Sequence, residues 1–216
     1  MIHNPFRVSQ GKEILLFLRR WLANPMRIGA VLPSSPSLTR LIARHAVTGD
    51  DGAVLELGPG TGAVTQAMLD AGITEDRLIL VEIDPKLHHW LARRFPKAMV
   101  IHGDAAELQE ILPQDLIGQI STVVSSLPIL SFPLPQQRAI VEQVFGVTSA
   151  DGRLLQYTYS PNSPFSRGLV VPGKLLGWAP GNVPPASLWR FTRPEVIGNV
   201  TMSSAPASDE GFPLIR

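Results

Sequence analysis

The segment Val54-Leu55-Glu56-Leu57-Gly58-Pro59-Gly60-Thr61-Gly62 constrains the fold more than any other part of the chain. An apolar run ends in a glycine-rich turn and opens onto a stretch of helical character, and the alternation that starts there repeats. Apolar runs at Ala53–Leu57, Leu78–Ile83, Ala98–Ile101, Ile120–Ser126 and Arg153–Tyr159 read as strands, and 61–71, 85–94, 105–112 and 134–148 read as helices. Strand–helix units with short links predict an α/β fold with a mostly parallel central sheet covered by helices on both faces. Beyond Ser160 the regularity fails. Segment 160–186 is dense in proline and glycine and reads as an irregular excursion, Ala186–Thr192 as a last strand, and 203–216 as a tail.

Ahead of the alternation, residues 11–23 suit a helix that stops before Asn24-Pro25. Ile14, Leu15, Phe17, Leu18, Trp21 and Leu22 fall on one side of it, and Lys12, Glu13, Arg19 and Arg20 on the other. Pro25 to Ser35 has no periodicity, and Ser35-Pro36 supplies an N-cap and a first-turn proline for a second helix to about Val47. The chain thus divides into a helical extension (1–50), an α/β domain (51–202) and the tail. Its 216 residues suit one domain more readily than two.

Composition narrows the function classes. With 44% hydrophobic and 17% charged residues the chain supports a sizeable core, and with no cysteine it excludes disulfides, thiolate metal sites and a cysteine nucleophile. A net charge of +1 is too small for gripping nucleic acid through the overall field, so no nucleic acid partner is expected. Residues 1–50 nevertheless carry seven Lys and Arg against two acids, which points the front end at an anionic partner. The charge-free run Leu116–Gln137 is interrupted by Pro128, Pro133 and Pro135, and the apolar run Ile14–Leu18 is too short for an export signal. Neither spans a membrane, and a cytoplasmic location follows as the expectation. His88 and His89 are helix neighbours that cannot share a ligand, and His3, His45 and His102 have no metal-ligand spacing, so no metal is expected.

The chemistry gathers around the glycine turn. Glycines let backbone approach a ligand closely, and the following helix offers unpaired N–H groups. Glu82 lies 22 residues past Gly60 at a strand end, where a carboxylate holds ribose hydroxyls, and Asp104 follows the third strand. The spacing is G-x-G-x-G rather than G-x-G-x-x-G, with an acid two places before the first glycine. That form resembles the S-adenosylmethionine-dependent methyltransferases of class I, with their Rossmann-like fold. The resemblance implies that Glu56, Gly58, Pro59, Gly60, Thr61 and Gly62 hold the methionine end of the cofactor. It places Glu82 and Ile83 at the ribose, Asp104 and Ala105 at the adenine, and Ser126 and Leu127 beside them. The product would be S-adenosylhomocysteine.

Two acceptor classes compete. The rRNA adenine dimethylases carry Asn-Leu-Pro and an aromatic residue after the fourth strand, where this chain has Ser126-Leu127-Pro128-Ile129. The amide and the ring that would hold a base are both replaced. From about residue 14 to 159, the front helix, the segment N-P-M-R-I-G-A-V-L-P-S-S, E-L-G-P-G-T-G, V-E-I-D-P and S-L-P-I-L are similar to the bacterial phospholipid N-methyltransferases. That resemblance implies methylation of an aminophospholipid, phosphatidylethanolamine toward phosphatidylcholine, by an enzyme held peripherally on the inner face of the cytoplasmic membrane. Lys12, Arg19 and Arg20 would meet anionic lipid, with Phe17 and Trp21 adding apolar burial. The same helix read by periodicity alone equally packs its stripe on the sheet. Pro33, Ser34 and Ser35 would line the site as part of a lid. Ser126 and Pro128 would stand in the catalytic loop. Tyr157 and Tyr159, two apart on the fifth strand, point to one face, as acceptor-binding rings for a cationic head group or as core tyrosines. A small-molecule methyltransferase and a non-catalytic cofactor-binding module are the remaining readings. Oligomeric state is not legible.

Overall fold

A computed structural model describes residues 35–47, 49, 52–160, 162–166, 168–182 and 184–194. The helix expected over 11–23, with Lys12, Phe17, Arg19, Arg20 and Trp21, lies outside the described residues, as do Pro33, Ser34 and the tail.

Seven strands form one sheet in the order β3-β2-β1-β4-β5-β7-β6. They are β1 Ala53–Leu57, β2 Leu78–Glu82, β3 Met99–His102, β4 Ile120–Ser125, β5 Thr148–Thr158, β6 Gly173–Ala179 and β7 Ala186–Thr192. The first five are mutually parallel, and β7 runs antiparallel between β5 and β6. This is the mostly parallel sheet anticipated from the alternation. The chain winds one way from β1 to β3, then crosses back to β4, so β1 and β4 are neighbours whose carboxyl ends diverge into a crevice. Sheets of this kind place ligands there.

Helices cover both faces. Helix α1 (Pro36–Ala46), α2 (Ala63–Asp70) and α3 (Pro85–Arg94) pack Leu38, Ile42, Val64, Met68, Leu91 and Phe95 against Val54, Leu78, Leu80, Val124 and Leu155. On the opposite face, α4 (Leu108–Ile111) and α5 (Leu134–Val147) pack Leu108, Ile140, Val141 and Val144 against Leu55, Leu57, Ile79, Val123 and Leu154. Each strand therefore sends alternate side chains to two separate cores, which is why β2 is apolar throughout until Glu82.

Helix starts follow their sequence signals. Ser35 caps α1, its Oγ accepting from the Leu38 N–H at 3.4 Å, and Asp84 caps α3, its Oδ1 accepting from Lys86 and Leu87. Three expectations are corrected. The 105–112 helix is a 3₁₀ turn over Ala105–Glu107 followed by the single turn α4. The fifth strand begins at Thr148, five residues before Arg153, because α5 passes into it without a loop. Segment 160–186 is not irregular throughout, since β6 lies within it. Its glycines serve the sheet: a Cβ on Gly173 would fall 2.3 Å from the Phe191 ring of β7. Among the described residues no helix is long and apolar enough to cross a membrane.

Candidate active site

The turn after β1 holds three glycines at left-handed φ, +66° at Gly58, +59° at Gly60 and +81° at Gly62. They serve different ends. A Cβ on Gly58 would meet Leu127 Cδ2 at 2.7 Å, and one on Gly62 would meet the Phe95 ring at 2.5 Å. Around Gly60 nothing stands within 4 Å, so this is the position where backbone is open to a ligand. The turn is braced from its neighbours. Gly58 N–H donates to Val81 O at 2.9 Å, Gly60 N–H to Glu82 Oε2 at 3.1 Å, and Gly62 N–H to Pro59 O at 2.9 Å. From α3, Arg94 donates to Thr61 O at 2.8 Å while its guanidinium lies over the Phe95 ring.

Three acids ring the crevice, each at a strand end as its position in the sequence foretold. Glu56 is wholly buried. Its Oε2 accepts from Thr65 Oγ1 at 2.6 Å, whereas Oε1 has no hydrogen-bond partner among the described residues. Burial pushes its carboxyl up to about 8, against the Thr65 hydrogen bond, which lowers it; the nearby Glu82 adds to the rise. Glu82 is also raised, first by burial, although backbone N–H bonds from Asp84 and Gly60 oppose the rise. Each Glu82 oxygen takes one backbone donor, leaving lone pairs for hydroxyls. Asp104 accepts from Ala106 N–H at 2.9 Å through Oδ1 and so caps the 3₁₀ turn after β3. Ile83 and Ala105 flank these acids, with Ala105 buried. Among the described residues no group of three His, Asp or Glu side chains is placed to hold a metal.

After β4 the chain makes a tight loop. Ser126 N–H donates to Leu57 O at 2.9 Å, tying the loop to the end of β1. Pro128, at φ −78° and ψ 65°, centres an inverse γ-turn in which Ile129 N–H reaches Leu127 O at 2.9 Å. From β5, Gln156 Nε2 donates to the same Leu127 O at 3.0 Å and to Tyr157 O at 2.9 Å. Tyr157 and Tyr159 project to one face, as their spacing predicted. Their rings meet edge to face with centroids 5.8 Å apart, partly buried against the core that holds Leu155 and Leu188. Ser35 stands at the start of α1, where its backbone N–H donates to Asn182 Oδ1 at 2.9 Å.

The fold brings Glu56, the glycine turn, Glu82, Ile83, Asp104, Ala105, Ser126, Leu127 and Pro128 to one edge of the sheet. Sequence reasoning missed Thr65, Arg94, Gln156 and Asn182. Arg94, exposed at the end of its helix, holds the glycine turn through Thr61 O. Gln156 had a signal, a lone amide within the apolar strand Leu154–Tyr157; Asn182 had none, because its partner Ser35 is 147 positions away.

Comparison with known proteins agrees with this geometry. A family profile described as ribosomal RNA adenine dimethylase matches residues 33–135. An ornithine lipid N-methyltransferase from Singulisphaera acidiphila is 35% identical over 153 residues, 69% of this chain and 80% of the relative. A ribosomal RNA small subunit methyltransferase A from Chlorobium phaeobacteroides is 32% identical over 125 residues, and this chain spans only 45% of its length. Among solved structures, a TehB-like SAM-dependent methyltransferase from Corynebacterium glutamicum superposes with a TM-score of 0.51 at 15% identity, over 88% of this chain and 100% of that one.

Proposed function

Because the chain belongs to the rRNA adenine dimethylase-like S-adenosylmethionine-dependent methyltransferases of class I, we propose that its own acceptor is the primary amine of a membrane aminolipid. Phosphatidylethanolamine and an ornithine-headed lipid are the two candidates, and they share the amine. The observation that carries the reading is the acceptor loop. Ser126 and Ile129 stand where a base-binding enzyme needs an amide and a ring, while similarity to a lipid N-methyltransferase extends over 69% of the chain.

The cofactor fits the crevice. Glu56 Oε1 is a buried acceptor without a donor, suited to an ammonium, and Gly60 leaves open space for close approach. Glu82 would take the ribose hydroxyls and Asp104 the adenine amine. When bound, S-adenosylmethionine supplies a methyl carbon on a positively charged sulfur, an electrophile for a nitrogen lone pair.

The amine must arrive with that lone pair free. A primary ammonium titrates near 10.4, so about one in a thousand is a free amine at neutral pH. Transfer into a poorly hydrated site disfavours the charged form and lowers this barrier. Tyr157 and Tyr159 are the candidates to receive the head group as it becomes more cationic. Alignment of amine and methyl group supplies much of the rate, so the reading needs no dedicated base.

Access to a bilayer would run through residues 12–21, whose cations contribute roughly 1 kcal/mol each against anionic lipid. The enzyme would then sit on the inner face of the cytoplasmic membrane. Joint Arg19→Gln and Arg20→Gln substitution should weaken co-sedimentation with anionic vesicles, and undiminished binding would count against this contact. The acceptor is tested with labelled S-adenosylmethionine and vesicles carrying either lipid. Label in an aminolipid supports the proposal; label in ribosomal RNA alone, the reading favoured by the 33–135 profile match, overturns it.

A further inference from the structure

Several buried oxygens have no hydrogen-bond donor, and their places in the sheet sort them. Thr122 Oγ1 and Thr148 Oγ1 lie toward the amino ends of β4 and β5, away from the crevice. Glu56 Oε1 faces the cofactor's ammonium in the reading above. Ser126 Oγ and Gln156 Oε1 stand at the carboxyl ends beside the acceptor loop, with no donor among the described residues. Gln156 is the in-register neighbour of Ser125, only 1% exposed, and Leu127 is wedged between its amide and Gly58 of the cofactor turn.

The hydrogen bonds at this point leave one kind of capacity. Both N–H groups of Gln156 are occupied, by Leu127 O and Tyr157 O, which fixes which way the amide is turned. Leu127 O accepts two donors, from Gln156 and Ile129, so both of its lone pairs are engaged. What is left is a fixed acceptor, Gln156 Oε1, and the Ser126 hydroxyl. A buried acceptor without a donor costs about 1–3 kcal/mol and is relieved only by a group that brings an N–H or O–H.

We infer that Gln156 Oε1 and Ser126 Oγ take the N–H groups of the acceptor amine and thereby set how far methylation proceeds. The inference rests on the proposed amine acceptor and deepens it. Counted on the free amine, each of the first two methyls replaces one N–H by N–CH₃ as the methyl–sulfur bond breaks and a proton leaves to water; a third methyl adds to the tertiary lone pair with no proton lost. A primary amine satisfies both oxygens and a secondary amine one. A tertiary amine, like the quaternary product, brings no donor, so neither gains anything from either oxygen. The site grips primary and secondary amines and loses its hold at the tertiary amine, where methylation slows.

The test compares wild type, Ser126→Ala and Gln156→Met on vesicles of an ethanolamine-headed lipid and its N-methyl and N,N-dimethyl forms, with the N,N,N-trimethyl lipid as inhibitor. The ornithine-headed series replaces these if that lipid is the acceptor. Each variant should lower kcat/KM at least tenfold for the primary amine and progressively less along the series. Inhibition by the quaternary lipid should stay within twofold in both variants, and calorimetric affinity for S-adenosylmethionine should stay within twofold in Gln156→Met. Ser126 Oγ makes no intramolecular hydrogen bond, so Ser126→Ala carries the test even if Gln156→Met fails to fold. A uniform fall across the series, or none, with cofactor affinity intact overturns the inference while leaving amine methylation standing. Methylation of oxygen or carbon instead of nitrogen overturns the proposed function and this inference with it.

Discussion

Replacing Glu56 by Gln isolates the electrostatic cost of the cofactor site. The carboxyl is wholly buried, and burial raises its titration from the ordinary 4.5 to about 8 in the fold. Between those values the folded protein keeps a proton that the unfolded chain has released, so stability falls as pH rises through this window. At about 1.36 kcal/mol per pH unit, the loss attributable to Glu56 between pH 6 and pH 9 is on the order of 3 kcal/mol. That is a large share of the roughly 5–15 kcal/mol that holds a typical domain. Glutamine does not titrate, and its carbonyl still accepts the Thr65 hydroxyl. Whatever constant offset the amide introduces, the pH slope from this site disappears. Urea unfolding of both proteins without cofactor at pH 6, 7, 8 and 9 measures the difference directly. Other titrating groups cancel between wild type and variant. The gap should change by about 3 kcal/mol across the series in favour of Glu56→Gln at high pH. A gap that stays constant to within 1 kcal/mol would refute the reasoning that Glu56 is a protonated, desolvated acid in the fold.

Three further outcomes follow from the same geometry. A cationic ammonium favours the Glu56 carboxylate, so cofactor binding below pH 8 should release close to one proton from a group raised to about 8; calorimetry in buffers of different ionisation enthalpy reads this, and buffer-independent heat at pH 7 argues against it. Gly62→Ala should destabilise by about 2–4 kcal/mol, combining left-handed strain with overpacking on Phe95, whereas Gly60→Ala should cost about 1–2 kcal/mol yet weaken cofactor binding more. Equal losses of stability in the two would contradict their separate roles. Turnover of the aminolipid should survive Tyr159→Phe and fall at least tenfold in Tyr159→Ala; equal activity in wild type and both variants removes the ring from acceptor binding.

Much of the molecule was legible because its signals are local. The turn with Gly58, Gly60 and Gly62 needs left-handed φ, which glycine adopts without strain, and the acids at 56, 82 and 104 mark strand ends by position alone. Alternating apolar runs dictated a parallel sheet, since only right-handed crossovers return the chain to bury both faces. Ser35 announced its helix because a cap bonds within its own first turn. Other features belong to the assembled sheet. The edge strand β6 hides behind its glycines, of which Gly173 admits the Phe191 ring from a strand that only folding brings alongside. Arg94 reaches Thr61 across 33 positions, and Asn182 reaches Ser35 across 147. Gln156 is an unremarkable amide until β4 and β5 pair and its two N–H groups are consumed, leaving one oxygen with nothing to accept. Residue order sets backbone conformation within a few positions; which polar atoms end buried and unmatched depends on every strand that closes around them.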